Sequence, residues 1–310
     1  MLPRHFKHGS HRNFYKQTSQ IPHNNQERCM PSRPQRPYTI RMEIEGSPEQ
    51  ARGVQVTYTN DPIETDAWLR NNIMDTDCRA IGFDMEWRPQ FVKKKLGGKE
   101  NKTAVLQLST ETDSLVCHLK HVKPLPRYLP EVLANENIRK VGCGIRPDVI
   151  KLLKDTGLQC KGAVDLAELA KISGYTKEHG QGLKTLANNL LGLELNKPKS
   201  VKLSNWEKLP LKQGQIRYAA LDAWVGIKLY LHMLKTMDNK ANVKSEVDGL
   251  FNVEPSDLVV VHCNVCGKKC KGDRKLQEHL ANAGHSKCPK CGMMFVFSVT
   301  RKHHKKCIGP

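Results

Sequence analysis

Ile81-Gly82-Phe83-Asp84-Met85-Glu86-Trp87 sets two carboxylates two residues apart at the end of a short apolar run. On a strand, residues i and i+2 face the same side, so Asp84 and Glu86 can reach one cation between them. Such a pair alone says little in a chain with 31 acids, because short matches arise by chance. Its meaning depends on what surrounds it.

The neighbouring sequence reads as a sheet. Ala80-Ile81-Gly82-Phe83, Ala104 to Leu108, Ser114 to Cys117 and Ile138 to Val141 are strand-sized apolar runs, while Asp148 to Lys154, Gly182 to Leu191 and Lys212 to Leu234 carry helical periodicity. Asp61-Pro62-Ile63-Glu64 predicts a helix start: an Asp cap, Pro at the first position and a Glu reaching back to the cap. Strands followed by mixed helices and strands predict an α/β fold, a mixed sheet of about five strands flanked by helices, over residues 53–236.

Further acids lie downstream. Val141-Gly142-Cys143-Gly144-Ile145-Arg146-Pro147 leads into Asp148 at the head of an amphipathic run, the glycines allowing close backbone approach after a strand. Arg146-Pro147 is an unexpected approach to a helix. In Tyr218-Ala219-Ala220-Leu221-Asp222 the i, i+4 spacing puts phenol and carboxylate on one helix face.

Taken in order, Phe83 to Trp87, Val105 to Leu108, Gly142-x-Gly-Ile-x-x-Asp148, Gly182-Leu183-x-x-Leu186, Leu203 to Trp206 and Tyr218 to Ala223 resemble the DEDD exonuclease superfamily, in its tyrosine-bearing subgroup. The likeness extends to the exonuclease domain of the Werner syndrome protein and covers roughly residues 54–235. The resemblance implies a ribonuclease H-like fold and 3′-to-5′ hydrolysis of nucleic acid to nucleoside 5′-monophosphates. It further implies that Asp84, Glu86, Asp148 and Asp222 hold two Mg²⁺ or Mn²⁺ ions and that Tyr218 positions the attacking water. Physical chemistry agrees: clustered carboxylates repel unless cations neutralise them, and Mg²⁺ prefers oxygen ligands. A phenol with an ordinary pKa of ~10 orients a water by hydrogen bonding and does not serve as a base at pH 7. The Werner likeness tilts the expected substrate toward DNA, and the wider kinship to ribonuclease D leaves RNA open. The alternative is a nucleic-acid-binding zinc-finger protein whose exonuclease-like domain is not catalytic.

The formal charge of +19 is concentrated outside this domain: residues 1–41 carry +7, residues 42–250 only +5, and residues 251–310 another +7. Residues 1–52, rich in His, Arg, Asn, Gln and Pro, read as a disordered basic arm, and residues 237–257 as a linker. Residues 258–310 read as two tandem zinc fingers. Cys263-x2-Cys266-x12-His279-x5-His285 has the ligand count and spacing of a tetrahedral zinc site, and Cys288, Cys291, Cys307 with His303 or His304 make a second set. One or two structural Zn²⁺ are therefore expected. The short link between the sets predicts fingers packed as one unit, with Cys270 as a small apolar core residue and Leu276 as a core residue of a short helix. Lys268, Lys269, Lys271, Arg274 and Lys275 are candidate phosphate contacts, which confer affinity without sequence choice. The lysine-rich segment 88–102 is a solvated loop or a further nucleic-acid contact. Partners expected are DNA or RNA 3′ ends, with protein docking through the fingers as a second use. No run approaches the ~18 apolar residues of a membrane span. The nucleus is the expected location, with cytoplasm or mitochondrion as alternatives.

Overall fold

The structure, a computed structural model, describes residues 37–44, 53–91, 100–176, 181–237, 258–263, 265–266, 268–282, 285–287 and 294–296. Seven strands form one sheet: β1 (Thr39–Ile44), β2 (Val54–Thr59), β3 (Ala80–Trp87), β4 (Thr103–Ser109), β5 (Asp113–Cys117), β6 (Arg139–Gly142) and β7 (Ala163–Asp165). Their spatial order is β1-β2-β5-β4-β3-β6-β7. β3, β4 and β5 pair antiparallel as a meander, whereas β2 lies parallel to β5, and β6 and β7 extend parallel from β3. The expected mixed sheet is present with two more strands than the five predicted.

One extra strand corrects a boundary. The sequence places Thr39–Ile44 in the basic arm, yet it pairs antiparallel with β2 in continuous register from Thr39↔Thr59 to Ile44↔Val54. Ile40, Met42 and Ile44 alternate with Arg41 and Glu43, and this period of two puts the apolar set on the core side. The sheet thus takes in residues from Thr39 onward. The linker residues 238–257 and the arm residues 1–36 and 45–52 lie outside the described residues.

Helices cover both faces. α1 (Pro62–Leu69), α2 (Leu129–Ala134) and α3 (Ile145–Thr156) bury Trp68, Leu69, Leu133, Val149 and Leu152 against Ile81, Phe83 and Met85 of β3 and Leu106 and Leu108 of β4. α4 (Leu166–Ile172), α5 (Leu183–Leu191), α6 (Lys199–Lys202) and the 25-residue α7 (Gln213–Met237) serve the other face. There Ile216, Trp224, Ile227 and Met233 meet Val105 and Val116. All seven residues of β4 are buried, as a strand covered on both faces requires. Trp206 and Trp224 are almost wholly enclosed, so truncating either to Ala would cost about 3–5 kcal/mol.

The local signals at α1 hold in part. Asp61 Oδ1 accepts from the Ile63 N–H at 2.9 Å and Pro62 opens the helix. Glu64 does not reach back: it pairs with Arg41 of β1, and the Asp61 N–H instead donates to Thr59 Oγ1 at 2.9 Å. The capping box is replaced by a tie between helix and edge strand.

Candidate active site

Asp84 and Glu86 stand at the C-terminal end of β3 on the face toward α7, and α7 contributes Asp222. Carboxylate oxygens of these three residues all lie within 4.8 Å of one another. A close backbone approach makes this convergence feasible. A Cβ at Gly82 would lie 1.8 Å from the Ala223 carbonyl oxygen, so only glycine lets α7 settle this deep on β3. Gly142 does the same for β6, where a Cβ would fall 2.6 Å from the Phe83 carbonyl.

Tyr218, one turn before Asp222, is buried, and its hydroxyl donates to the Asp222 carboxylate. The Trp206 ring, 6.0 Å from that of Tyr218, fills the space behind it. Asp148 lies in the first turn of α3, where Pro147 is tolerated because N–H groups there have no intrahelical acceptor. It lines the same cleft, of about 450 Å³, as Asp84, Glu86, Tyr218 and Asp222 but stands outside the tight trio. So the five sequence-predicted residues share one cleft, three of them in contact range for a single ion and Asp148 near enough for its charge to act on Asp84.

From protein charges alone the site resists ionisation. Burial, then the charges of Asp222 and Asp148, pushes the Asp84 carboxyl well above its usual range. Glu86 is pushed up to about 9 by burial and by Asp84 and Asp222. Asp148 is pushed up to about 7 by burial and by Asp165. Burial also raises Asp222, though Lys197 opposes the rise, and burial with neighbouring carboxylates raises the Tyr218 phenol. A buried set of hard oxygen donors with so little neutralising charge fits divalent cations of the Mg²⁺ class.

Sequence reading missed two basic residues here. Lys197 Nζ sits 2.7 Å from Asp222 Oδ1 and 5.4 Å from the centroid of the Tyr218 ring. Lys202, exposed at the end of α6, lines the cleft and favours ionised Glu86. Nothing in Asn196-Lys197-Pro198-Lys199 singles out the inward-facing lysine, because the turn that aims it is set by tertiary packing. A buried relay ties β2 and the end of β5 to the segment that leads into α7. The Leu211 N–H donates to Tyr58 Oη at 3.0 Å, and Tyr58 Oη lies 2.8 Å from His118 Nδ1. His118 Nε2 in turn lies 3.0 Å from the Trp206 carbonyl. A carbonyl can only accept, so Nε2 carries the proton and Nδ1 accepts from Tyr58.

In the C-terminal segment, β8 (Val260–His262) and β9 (Lys269–Lys271) form a hairpin beside α8 (Gly272–Asn282). Ligand atoms of Cys263, Cys266, His279 and His285 all lie within 4.8 Å of one another. Cys266 Sγ is 3.2 Å from His279 Nε2, and Cys263 Sγ is 3.9 Å from His285 Nε2. Two thiolate and two imidazole donors converging this way suit a tetrahedral zinc. Cys270 is buried as expected, and Leu276 of α8 is half-buried. His285 also opens β10 (His285–Lys287), which pairs with β11 (Met294–Val296), so the fourth ligand belongs to the next hairpin. Lys268, Lys269 and Lys275 are exposed, Lys275 pairing with Glu278; the side chains of Lys271 and Arg274 lie outside the described residues. So do Cys288, Cys291, His303, His304 and Cys307, and most of the 88–102 loop.

A mixed sheet ending in an acid cluster, with a tyrosine one helical turn away, defines an RNase H-like exonuclease fold. The chain belongs to the 3′-5′ exonuclease family, whose model matches residues 61–238. It is 34% identical over 194 residues to a 3′-5′ exonuclease of Arabidopsis thaliana, covering 59% of this chain and 65% of the plant protein. It is 35% identical over 156 residues to the bifunctional 3′-5′ exonuclease/ATP-dependent helicase WRN of Mus musculus, covering 50% of this chain and 11% of that protein. The match thus takes in less than two thirds of each relative's length. The crystal structure of the Aedes aegypti Nibbler EXO domain shares the fold, with a TM-score of 0.52 at 22% identity over 62% of this chain and 92% of that one.

Proposed function

We propose that this chain is a metal-dependent 3′-to-5′ exonuclease that releases nucleoside 5′-monophosphates, with DNA slightly favoured over RNA. The observation that carries the reading is the convergence of Asp84, Glu86 and Asp222 within 4.8 Å, with Tyr218 donating to Asp222. These three acids, with Asp148 of the same cleft, would hold two Mg²⁺ or Mn²⁺ ions. Such a pair, when bound, supplies an activated water and neutralises charge on the attacking and leaving oxygens.

The chain's own groups do the rest. Tyr218 keeps its proton, since its pKa is pushed above the ordinary phenol value, so it orients the nucleophilic water and does not deprotonate it. Lys202, exposed on the cleft wall, faces the path of a phosphate backbone. The Cys/His module, folded around zinc, would present Lys268, Lys269 and Lys275 to further phosphates and hold the strand near an acidic cleft. A nuclear location accords with such a substrate. The test is digestion of matched DNA and RNA oligonucleotides labelled at the 5′ end in Mn²⁺. A ladder shortening from the 3′ end, with 5′-mononucleotide product and faster loss of DNA, is expected; internal cuts or shortening from the 5′ end would refute the reading.

A further inference from the structure

Lys197 lines the cleft, and neither the family motifs nor the acid cluster gives it a task. Its ammonium lies 2.7 Å from Asp222 Oδ1, with the carboxylate side chain 5% and the lysine side chain 23% exposed. It also stands 5.4 Å from the centroid of the Tyr218 ring, on the phenol that the proposed mechanism uses to orient water. Both contacts fall inside the cleft that Asp84 and Glu86 line.

This position sets up a competition. Asp222 offers the cluster one of its carboxylates, and the same group already accepts a charge-assisted hydrogen bond from Lys197. A divalent ion entering the cluster must draw on that carboxylate, and its charge repels an ammonium at hydrogen-bond distance from one of its ligands. The lysine has a way out. Its long, flexible stem is partly exposed, and the cleft on which it opens must receive the substrate phosphate next to Tyr218.

We propose that Lys197 is an exchangeable cation of the active site. It holds Asp222 in place until a divalent ion takes that carboxylate, and it then gives its charge to the phosphate at the scissile bond. The proposal deepens the two-cation nuclease reading and rests on it. Lys197 acts as a positioning residue toward Asp222 and as a binding residue toward substrate.

The test uses the full chain and three proteins: wild type, Lys197→Met and Lys197→Arg. Calorimetric titration with Mn²⁺ alone should give about tenfold tighter binding for Lys197→Met, the effect of removing one partly screened competing charge. Lys197→Arg should bind Mn²⁺ within about twofold of wild type, because the charge is kept. At saturating Mn²⁺, Lys197→Met should raise KM for a single-stranded oligonucleotide about tenfold, with KM restored in Lys197→Arg. Circular dichroism melts in EDTA verify that each variant is folded. If wild type binds Mn²⁺ and Lys197→Met binds it no tighter, the exchange is refuted while the nuclease reading stands. Tighter Mn²⁺ binding with an unchanged KM overturns the phosphate contact. If wild type itself binds no Mn²⁺, the nuclease reading fails first.

Discussion

Gly82 of β3 lies directly beneath the Ala223 carbonyl of α7, so close that a Cβ at position 82 would stand 1.8 Å from that oxygen. The two residues lie two before Asp84 and one after Asp222, so their contact sets how far apart the two carboxylates can be. Strand and helix contribute acids to one site because their backbones touch.

Gly82→Ala should therefore act on both stability and metal binding. Overpacking at a backbone contact costs roughly 1–3 kcal/mol, and the obstacle here is a carbonyl and not a movable side chain. We expect a loss of at least about 2 kcal/mol in urea unfolding. Mn²⁺ affinity should fall further than for a destabilised variant placed elsewhere in the core. Unchanged stability and affinity would mean that α7 can shift freely, contrary to the close fit described.

Tyr218→Phe separates orientation from ligation. It removes the hydroxyl that donates to Asp222 and keeps the ring against Trp206. Turnover should drop by about 10²-fold, with Mn²⁺ affinity held within a few-fold. Steady-state kinetics and calorimetry on the same preparation decide it. Equal losses in both would make Tyr218 a support for Asp222 alone.

Much of this was legible in the residues. Asp84-x-Glu86 on an apolar run, Asp148 after a Gly-x-Gly turn and Tyr218 four before Asp222 are local patterns, and local geometry delivered each to the cleft. What could not be read depends on distant packing. Thr39–Ile44 looked like part of a polar arm, because its alternation is short and its partner strand lies across a segment of Gly, Ser and Pro. Ala163–Asp165 is too short for any periodicity to show. Lys197 could not be told from Lys199 without the turn that directs it, and Glu64 was drawn from its cap by Arg41 on a strand not foreseen.

His118 makes the fold acid-sensitive. It is fully buried, and its pKa is pushed down to about 3 by burial and by nearby His121 and Lys120. Between that value and its ordinary 6.5 the unfolded chain binds a proton that the folded chain does not. Stability contributed by neutral His118 is thus complete above pH 6.5 and is lost as pH falls toward 3, by up to about 1.4 kcal/mol per pH unit. Urea unfolding at pH 7.5, 6 and 5 should show this slope in wild type and a shallower one in His118→Gln. Parallel slopes would contradict the relay from Tyr58 through His118 to Trp206.

Cys263→Ser tests the C-terminal module apart from catalysis. Zinc content by elemental analysis should fall by about one ion per chain, since a structural site needs its four donors. Oligonucleotide affinity should weaken and its dependence on salt should flatten, with turnover at saturating substrate retained. Unchanged affinity and salt slope would assign the module to protein docking.

The most direct measurement is degradation of a 5′-labelled single-stranded oligonucleotide by wild type and by the Asp84→Ala/Glu86→Ala double variant, each in Mn²⁺ and in EDTA. Wild type should shorten the strand from its 3′ end in Mn²⁺ and leave it intact in EDTA. The double variant, folded by circular dichroism, should lose at least about 10³-fold in rate. Undiminished degradation by the double variant, or full wild-type activity in EDTA, would contradict the assignment of catalysis to cations held by Asp84, Glu86 and Asp222.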